Sequence, residues 1–306
     1  MGRSSSSCPS RDSVLTYVQA VVLGLLQGVT ELFPISSLGH SVIVPQLLGW
    51  TDVVAAQSAT ESYFLAFLVG LHVATALALL LFYRQTWVRI AIAVLGSLRT
   101  RRIASADARL GWLLIVATIP AGLVGVLFEH LLRVLFAVPL AAAGFLIVNG
   151  LILLAGEVVR RRAAVRTVAR VHGITASGDR RLDTLEFREA GLIGLAQVLA
   201  LFAGISRSGI TMVAGLVRGL DHEDAARFSF LLATPIILAA GVYKLPDLLG
   251  PNGAGVQGQI LVGSVAAALA AYASVRFLSR YFTTRTLLPF AAYCLIAGVL
   301  AVVRFA

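Results

Sequence analysis

Residues 27–41 gather a carboxylate, an amide, hydroxyls and an imidazole within one short stretch that apolar sequence borders on both sides. Gln27 and Glu31 are four residues apart, so a helix places both side chains on one face. Pro34 and Gly39 interrupt a helix and predict a turn after Glu31. The polar side chains on that turn are Ser36, Ser37 and His40. The stretch therefore predicts a helix, a polar turn and a second helix.

Glu31 is expensive in an apolar helix unless it is paired or solvated, which favours a functional role over its alternative, a salt bridge between helices. The oxygens of Gln27 and Glu31 suit Mg²⁺ or Ca²⁺ as ligands. His40, three residues from Ser37, can exchange a proton with a hydroxyl, with water or with a leaving group. The alternative for His40 is that it only packs against its neighbours and takes no part in the chemistry. The sequence leaves open whether Ser37, His40 or water is the nucleophile.

A second polar turn repeats the first 170 residues later in the chain, and the two copies align without a gap. The identical pairs are Gly24/Gly194, Leu25/Leu195, Gln27/Gln197, Ile35/Ile205, Ser36/Ser206 and Gly39/Gly209. Arg207 lies in this copy, and its guanidinium matches phosphate oxygens bidentately, whereas the alternative is an arginine that snorkels to the membrane interface. The hydroxyls that can add donors to a phosphate are Ser36, Ser206, Ser208 and Thr211. The copy therefore predicts an anion-binding turn.

Together, the two turns resemble the undecaprenyl-diphosphate phosphatase family, also called the bacitracin-resistance proteins. The first family motif is matched by Gln27, Glu31, Pro34, Ser36, Ser37, Gly39 and His40. The second is matched by Gly204, Ser206, Arg207, Ser208, Gly209 and Thr211. Ala203 stands where the family has proline, which affects the rigidity of the turn entry rather than the chemistry.

The resemblance implies hydrolysis of undecaprenyl diphosphate to undecaprenyl phosphate and inorganic phosphate, which recycles the lipid carrier for peptidoglycan and confers bacitracin resistance. It implies dependence on a divalent cation, Mg²⁺ or Ca²⁺, with Gln27 and Glu31 as metal ligands. The expected catalytic residues are Glu31, Ser37, His40 and Arg207. The expected partners are a polyprenyl diphosphate lipid and membrane lipids, and the expected location is the bacterial plasma membrane.

Composition places these turns in a membrane. Of 306 residues, 58% are hydrophobic and 13% charged, which lies outside the range of soluble domains. The net charge of +10 does not indicate nucleic acid, because most arginines fall in two segments, 84–109 and 160–188. The positive-inside rule explains such segments as cytoplasmic. The sequence therefore predicts an all-α polytopic membrane protein that does not bind nucleic acid.

Six stretches are long enough for transmembrane helices: 64–82, 110–128, 137–156, 226–244, 259–277 and 287–304. The shorter runs around the two turns predict two re-entrant helix pairs. Residues 1–13 are predicted to be a disordered tail before a single membrane domain, 14–306. Within that domain we expect repeat one at 14–156, a cytoplasmic arginine-rich loop at 157–188 and repeat two at 189–306.

Three predicted spans separate the two re-entrant pairs, so the second copy enters the membrane from the opposite side. Such inverted-topology repeats usually hold their functional site between the halves. The orientation predicts that the site faces the extracytoplasmic side. The architecture is also that of transporters, and a transporter or flippase for the polyprenyl phosphate carrier is the alternative function. The sequence leaves homo-oligomer formation open.

Overall fold

A computed structural model describes residues 15–58, 63–128, 138–170, 181–244 and 255–306, together with residues 246 and 250. Its first half contains α1 (Tyr17–Thr30), α2 (Ser37–Leu47), α3 (Thr51–Ser58), α4 (Tyr63–Phe82), α5 (Arg84–Thr100) and α6 (Ala106–Leu127). Its second half contains α7 (Pro139–Arg170), α8 (Phe187–Gln197), α9 (Arg207–Val217), α10 (His222–Tyr243), α11 (Gln257–Tyr281) and α12 (Leu288–Phe305). The described part of the chain is helical and contains no strand. The predicted all-α class is confirmed.

Six helices of the described residues are long and apolar enough to cross a membrane, and each coincides with a predicted span. They are α4, α6, the first part of α7, α10, α11 and α12. The chain is thus a multi-pass membrane protein. The predicted tail at 1–13 and the middle of the predicted loop at 157–188 lie outside the described residues.

Two arginine-rich segments carry more helix than the sequence indicated. Helix α5 occupies Arg84–Thr100, and α7 continues through Arg170 into the predicted loop. Hydropathy marks the end of an apolar run, whereas the backbone hydrogen bonds of a helix continue through polar residues. Hydropathy alone therefore gives α7 too early an end and does not detect α5.

Each polar turn joins two short helices, as predicted. Helices α1 and α2 have 14 and 11 residues, and α8 and α9 have 11 each. Both second helices begin with a serine cap: the hydroxyls of Ser36 and Ser206 accept hydrogen bonds from the N–H groups of Gly39 and Gly209, each at 3.2 Å. These helices are too short to cross a bilayer alone. Their re-entrant placement in a membrane stays a prediction.

The two halves interlock, because the first helix of each pair packs on a span of the other half. Helix α1 packs along α11, and α8 packs along α6. The equivalent glycines permit both contacts: a Cβ on Gly24 would overlap the backbone of Gly263, and one on Gly194 would overlap the backbone of Ala117. Close backbone approach requires glycine at such positions. This exchange brings the two polar turns together at the centre of the molecule.

Asn149, on α7 and fully buried, links the two turns. Its Nδ2 donates to the carbonyl of Pro34 at 2.9 Å, and its Oδ1 accepts from the N–H of Ser206 at 2.9 Å. One side chain thus satisfies a backbone group from each turn, outside the regular hydrogen bonds of the helices. The relative position of the turns depends on this asparagine.

Candidate active site

Glu31 is the centre of the polar cluster. It follows the last residue of α1, and it is 7% exposed. Its Oε1 lies 2.8 Å from Nη2 of Arg207. Its Oε2 accepts hydrogen bonds from the hydroxyl of Ser37 and, at 3.1 Å, from Nε2 of Gln27. A buried carboxylate needs such compensation, and here it comes from both repeats.

Ser37 is the first residue of α2, and its hydroxyl donates to Glu31. The preceding residue, Ser36, has a φ of +72°, a left-handed conformation that is costly for a residue other than glycine. Ser36 is held there because its hydroxyl accepts hydrogen bonds from Gly39 and, at 3.1 Å, from the N–H of Gly204 in the other turn. The strained turn places a hydroxyl beside a carboxylate, which is the arrangement of a nucleophile with its base.

Arg207 begins α9, where the free N–H groups of a helix N-terminus favour an anion. Its guanidinium contacts Glu31 and, more weakly, the carbonyl of Ser229 at 3.5 Å. The other predicted phosphate ligands of this helix are engaged within the protein: Ser208 bonds to Ser206 at 3.0 Å, and Thr211 bonds to Ser229 at 2.7 Å. In this conformation, Ser208 and Thr211 support the turn from behind.

His40 lies on the side of the turn that faces α12. Its Nδ1 is 2.7 Å from the carbonyl of Ser36, and its Nε2 is 2.8 Å from the hydroxyl of Tyr293. The two rings also stack, with centroids 5.7 Å apart. Nε2 of His72, a residue outside both motifs, instead lies 3.5 Å from Oε2 of Glu31. The imidazole next to the carboxylate therefore comes from α4 rather than from the turn.

A cavity of about 500 Å³ opens beside this cluster. The polar residues that line it are Glu31, Ser36, Ser37, Ser41, His72, Gln197, Ser206, Arg207, Tyr243 and Lys244. Most of the remaining lining is apolar and comes from α4, α6 and α10. Gln27, His40, Ser208 and Thr211 are not among the lining residues. A phosphate beside Arg207 with a hydrocarbon chain along the apolar walls matches this division.

The oxygen donors fit a hard divalent cation in their chemistry, though not in number. Glu31 supplies one carboxylate, and Gln27 faces it with the Nε2 of its amide rather than with the amide oxygen, while the described residues contain no group of three or more His, Cys, Asp or Glu that could hold a metal. Arg207 also offsets the charge of Glu31. Mg²⁺ and Ca²⁺ bind six or more oxygens, so a diphosphate and water would have to supply the rest.

Sequence reasoning missed three residues of this region: His72, Asn149 and Gln197. Each is a polar side chain within an apolar helical stretch, and that is the signal by which Glu31 was found. His72 and Asn149 lie outside the motifs, and Gln197 lies at the edge of the second one. Their polarity was visible in the sequence, but their distance from Glu31 was not.

Comparison with known proteins identifies the family of the chain. The family model described as bacitracin resistance protein BacA matches residues 20–300. A protein of Frankia alni named undecaprenyl-diphosphatase 2 is 54% identical over 95% of this chain and 98% of its own length. Proteins of Mycolicibacterium paratuberculosis and Mycobacterium avium, both named undecaprenyl-diphosphatase, are each 59% identical over 93% of this chain and 95% of theirs. The chain belongs to the bacitracin resistance protein BacA family.

Proposed function

We propose that the chain hydrolyses undecaprenyl diphosphate to undecaprenyl phosphate and inorganic phosphate. The observation that carries the proposal is the meeting of Ser37 and Arg207 on the two oxygens of Glu31, beside a cavity with apolar walls. A nucleophile with its base, a phosphate clamp and space for hydrocarbon are what hydrolysis of a lipid diphosphate requires. The relatives named undecaprenyl-diphosphatase support the choice of this lipid.

In the proposed reaction, Oγ of Ser37 attacks the terminal phosphorus while Glu31 accepts the hydroxyl proton. The bond from that phosphorus to the bridging oxygen breaks, and undecaprenyl phosphate leaves with the bridging oxygen. Water then hydrolyses the phosphoserine and releases inorganic phosphate, which restores the Ser37 hydroxyl. The hydrogen bond from Ser37 to Glu31 is the basis for assigning the proton to this carboxylate.

Arg207 is proposed to bind the oxygens of the phosphoryl group as it is transferred. Its guanidinium contacts Glu31 with Nη2, and it lies at the start of α9, where helix N-termini favour an anion. Positioning and charge stabilisation supply most of the catalysis in phosphoryl transfer. Ser36 and Ser206, which line the cavity, are the proposed additional donors to phosphate.

A divalent cation, Mg²⁺ or Ca²⁺, would be held by Glu31 and Gln27 together with oxygens of the diphosphate. When bound, it would neutralise charge on the phosphate oxygens. His40 stays a predicted catalytic residue. Its contacts with Ser36 and Tyr293 in this conformation orient the turn, and the proton transfer is assigned to Glu31 for that reason.

We also propose that the site opens to the extracytoplasmic side of the bacterial plasma membrane. The cavity is lined by the first half of α4 and the last part of α6 and α10. These are the ends opposite the arginine-rich segments that follow α4 and precede α6. By the positive-inside rule, those segments are cytoplasmic, which supports the outward orientation of the cavity.

The test is release of phosphate from undecaprenyl diphosphate by the purified chain in detergent with Mg²⁺ or Ca²⁺. Ser37→Ala is expected to abolish release, whereas Ser279→Ala, on α11 outside the cavity, is expected to leave it unchanged. An absence of phosphate release by the unaltered, folded protein with either cation would refute the proposed function. Full activity of Ser37→Ala would refute Ser37 as nucleophile and leave attack by water.

A further inference from the structure

Gln197, the last residue of α8, is a buried amide without a partner among the described residues. The side chain is 2% exposed, and neither its Nε2 nor its Oε1 has a hydrogen-bond partner in that part of the chain. Buried polar groups in folded proteins are almost always hydrogen-bonded, so such an exception calls for an explanation. Gln197 is also one of the residues that line the cavity beside Glu31 and Arg207. Gln197 therefore lies in the wall of the cavity with an amide that the described residues leave unsatisfied.

The internal repeat explains why this amide is unsatisfied. Gln197 is the equivalent of Gln27 in the second repeat, and each lies three residues after a glycine that packs on a span of the other half. Gln27 donates its Nε2 to Glu31, four residues further on. In the second repeat, the residue at the position of Glu31 is Leu201. Gln197 thus keeps the place of Gln27 in the fold but lacks the carboxylate that satisfies it.

We propose that Gln197 is a diphosphate-binding residue, whose Nε2 donates to a phosphate oxygen of the bound substrate. The inference rests on the proposed function for the identity of the substrate. A phosphate oxygen would replace the carboxylate oxygen that the equivalent amide meets in the first repeat. Gln197 would then form the wall of the phosphate site that faces Glu31 from the second half, together with Arg207.

A structural role for Gln197 predicts a different response to substitution. If the amide contributes to folding, leucine at this position lowers thermal stability. If the amide is unpaired until substrate binds, Gln197→Leu replaces a buried unsatisfied amide with an apolar side chain of nearly equal volume. Thermal stability then stays unchanged or rises. Gln259 is the matched control, because its Nε2 donates to the carbonyl of Leu15 at 3.0 Å and it lies outside the cavity lining.

The experiment uses the full chain in detergent, with melting temperature, hydrolysis of undecaprenyl diphosphate and binding of inorganic diphosphate as readouts. Gln197→Leu is expected to raise KM and to weaken diphosphate binding, each by about tenfold, which corresponds to about 1.4 kcal/mol. Its melting temperature should equal or exceed that of the unaltered protein. Gln259→Leu should lower the melting temperature and leave KM unchanged.

An unchanged KM and diphosphate affinity in Gln197→Leu would overturn the proposal. A melting temperature lowered as much as in Gln259→Leu would overturn it as well, since the amide would then act on the fold. A different outcome refutes the proposed function: the unaltered protein binds inorganic diphosphate but releases no phosphate from undecaprenyl diphosphate. In that case, the diphosphate affinity of Gln197→Leu still decides the role of this residue.

Discussion

Arg207→Lys is the substitution that best separates a phosphate clamp from a structural charge. Nη2 of Arg207 lies 2.8 Å from Oε1 of Glu31, and its Nη1 donates to the carbonyl of Ser229 at 3.5 Å. Lysine keeps the positive charge that compensates Glu31 but loses the planar fork that binds two oxygens at once. Loss of one charged donor to a transition-state oxygen typically lowers turnover by about 3 kcal/mol, or about a hundredfold. We therefore expect kcat to fall about a hundredfold while the fold is retained.

The assay is the initial rate of phosphate release at saturating undecaprenyl diphosphate, with the melting temperature of the same sample. Turnover within about threefold of the unaltered protein, in a sample of normal stability, would refute the clamp. Arg207→Ala is less informative, because it leaves the buried Glu31 without its cation. Breaking a buried pair from one side typically costs about 3–5 kcal/mol of stability, so loss of folded protein is expected there in any case.

Three further predictions concern the link between the turns, the cation and the orientation. Asn149→Ala leaves the N–H of Ser206 unpaired and the carbonyl of Pro34 with only the thiol of Cys294 at 3.9 Å, and should lower the free energy of unfolding by about 2–4 kcal/mol, seen as a lower melting temperature in detergent. Removal of divalent cations with a chelator should abolish phosphate release, and Mg²⁺ or Ca²⁺ should restore it. In a Cys8→Ser background, Gln257→Cys should react with an impermeant thiol reagent in intact cells and Arg102→Cys should not; the reverse pattern would overturn the orientation.

The sequence predicted the spans and the second polar turn because both are visible in the order of residue types along the chain. Apolar runs of bilayer length locate the six spans, and the constant offset between the repeats locates the second turn. The repeat also predicted a functional site between the halves, and Glu31 and Arg207 are in contact there. Nothing in the local pattern indicated which face of the turn holds His40. Its position depends on the packing of α12, which supplies Tyr293.

The polar residues outside the motifs were hidden for a different reason. Asn149 and His72 act through neighbours that are distant in the chain, at Pro34, Ser206 and Glu31. Spacing in sequence carries no information about such contacts. A polar side chain within an apolar span was the available signal, and it indicates that a partner exists without indicating which one.

The division of charge between the repeats follows from the symmetry of the fold. The turns meet at the centre, so identical copies of the first turn would bring two carboxylates together in a low-dielectric environment, where like charges repel strongly. When the repeats are aligned, Leu201 stands opposite Glu31 and Arg207 stands opposite Ser37. One half thus supplies the anion and the hydroxyl, and the other half supplies the cation. The ion pair between Glu31 and Arg207 forms only when both halves are in place, which couples assembly of the fold to assembly of the site.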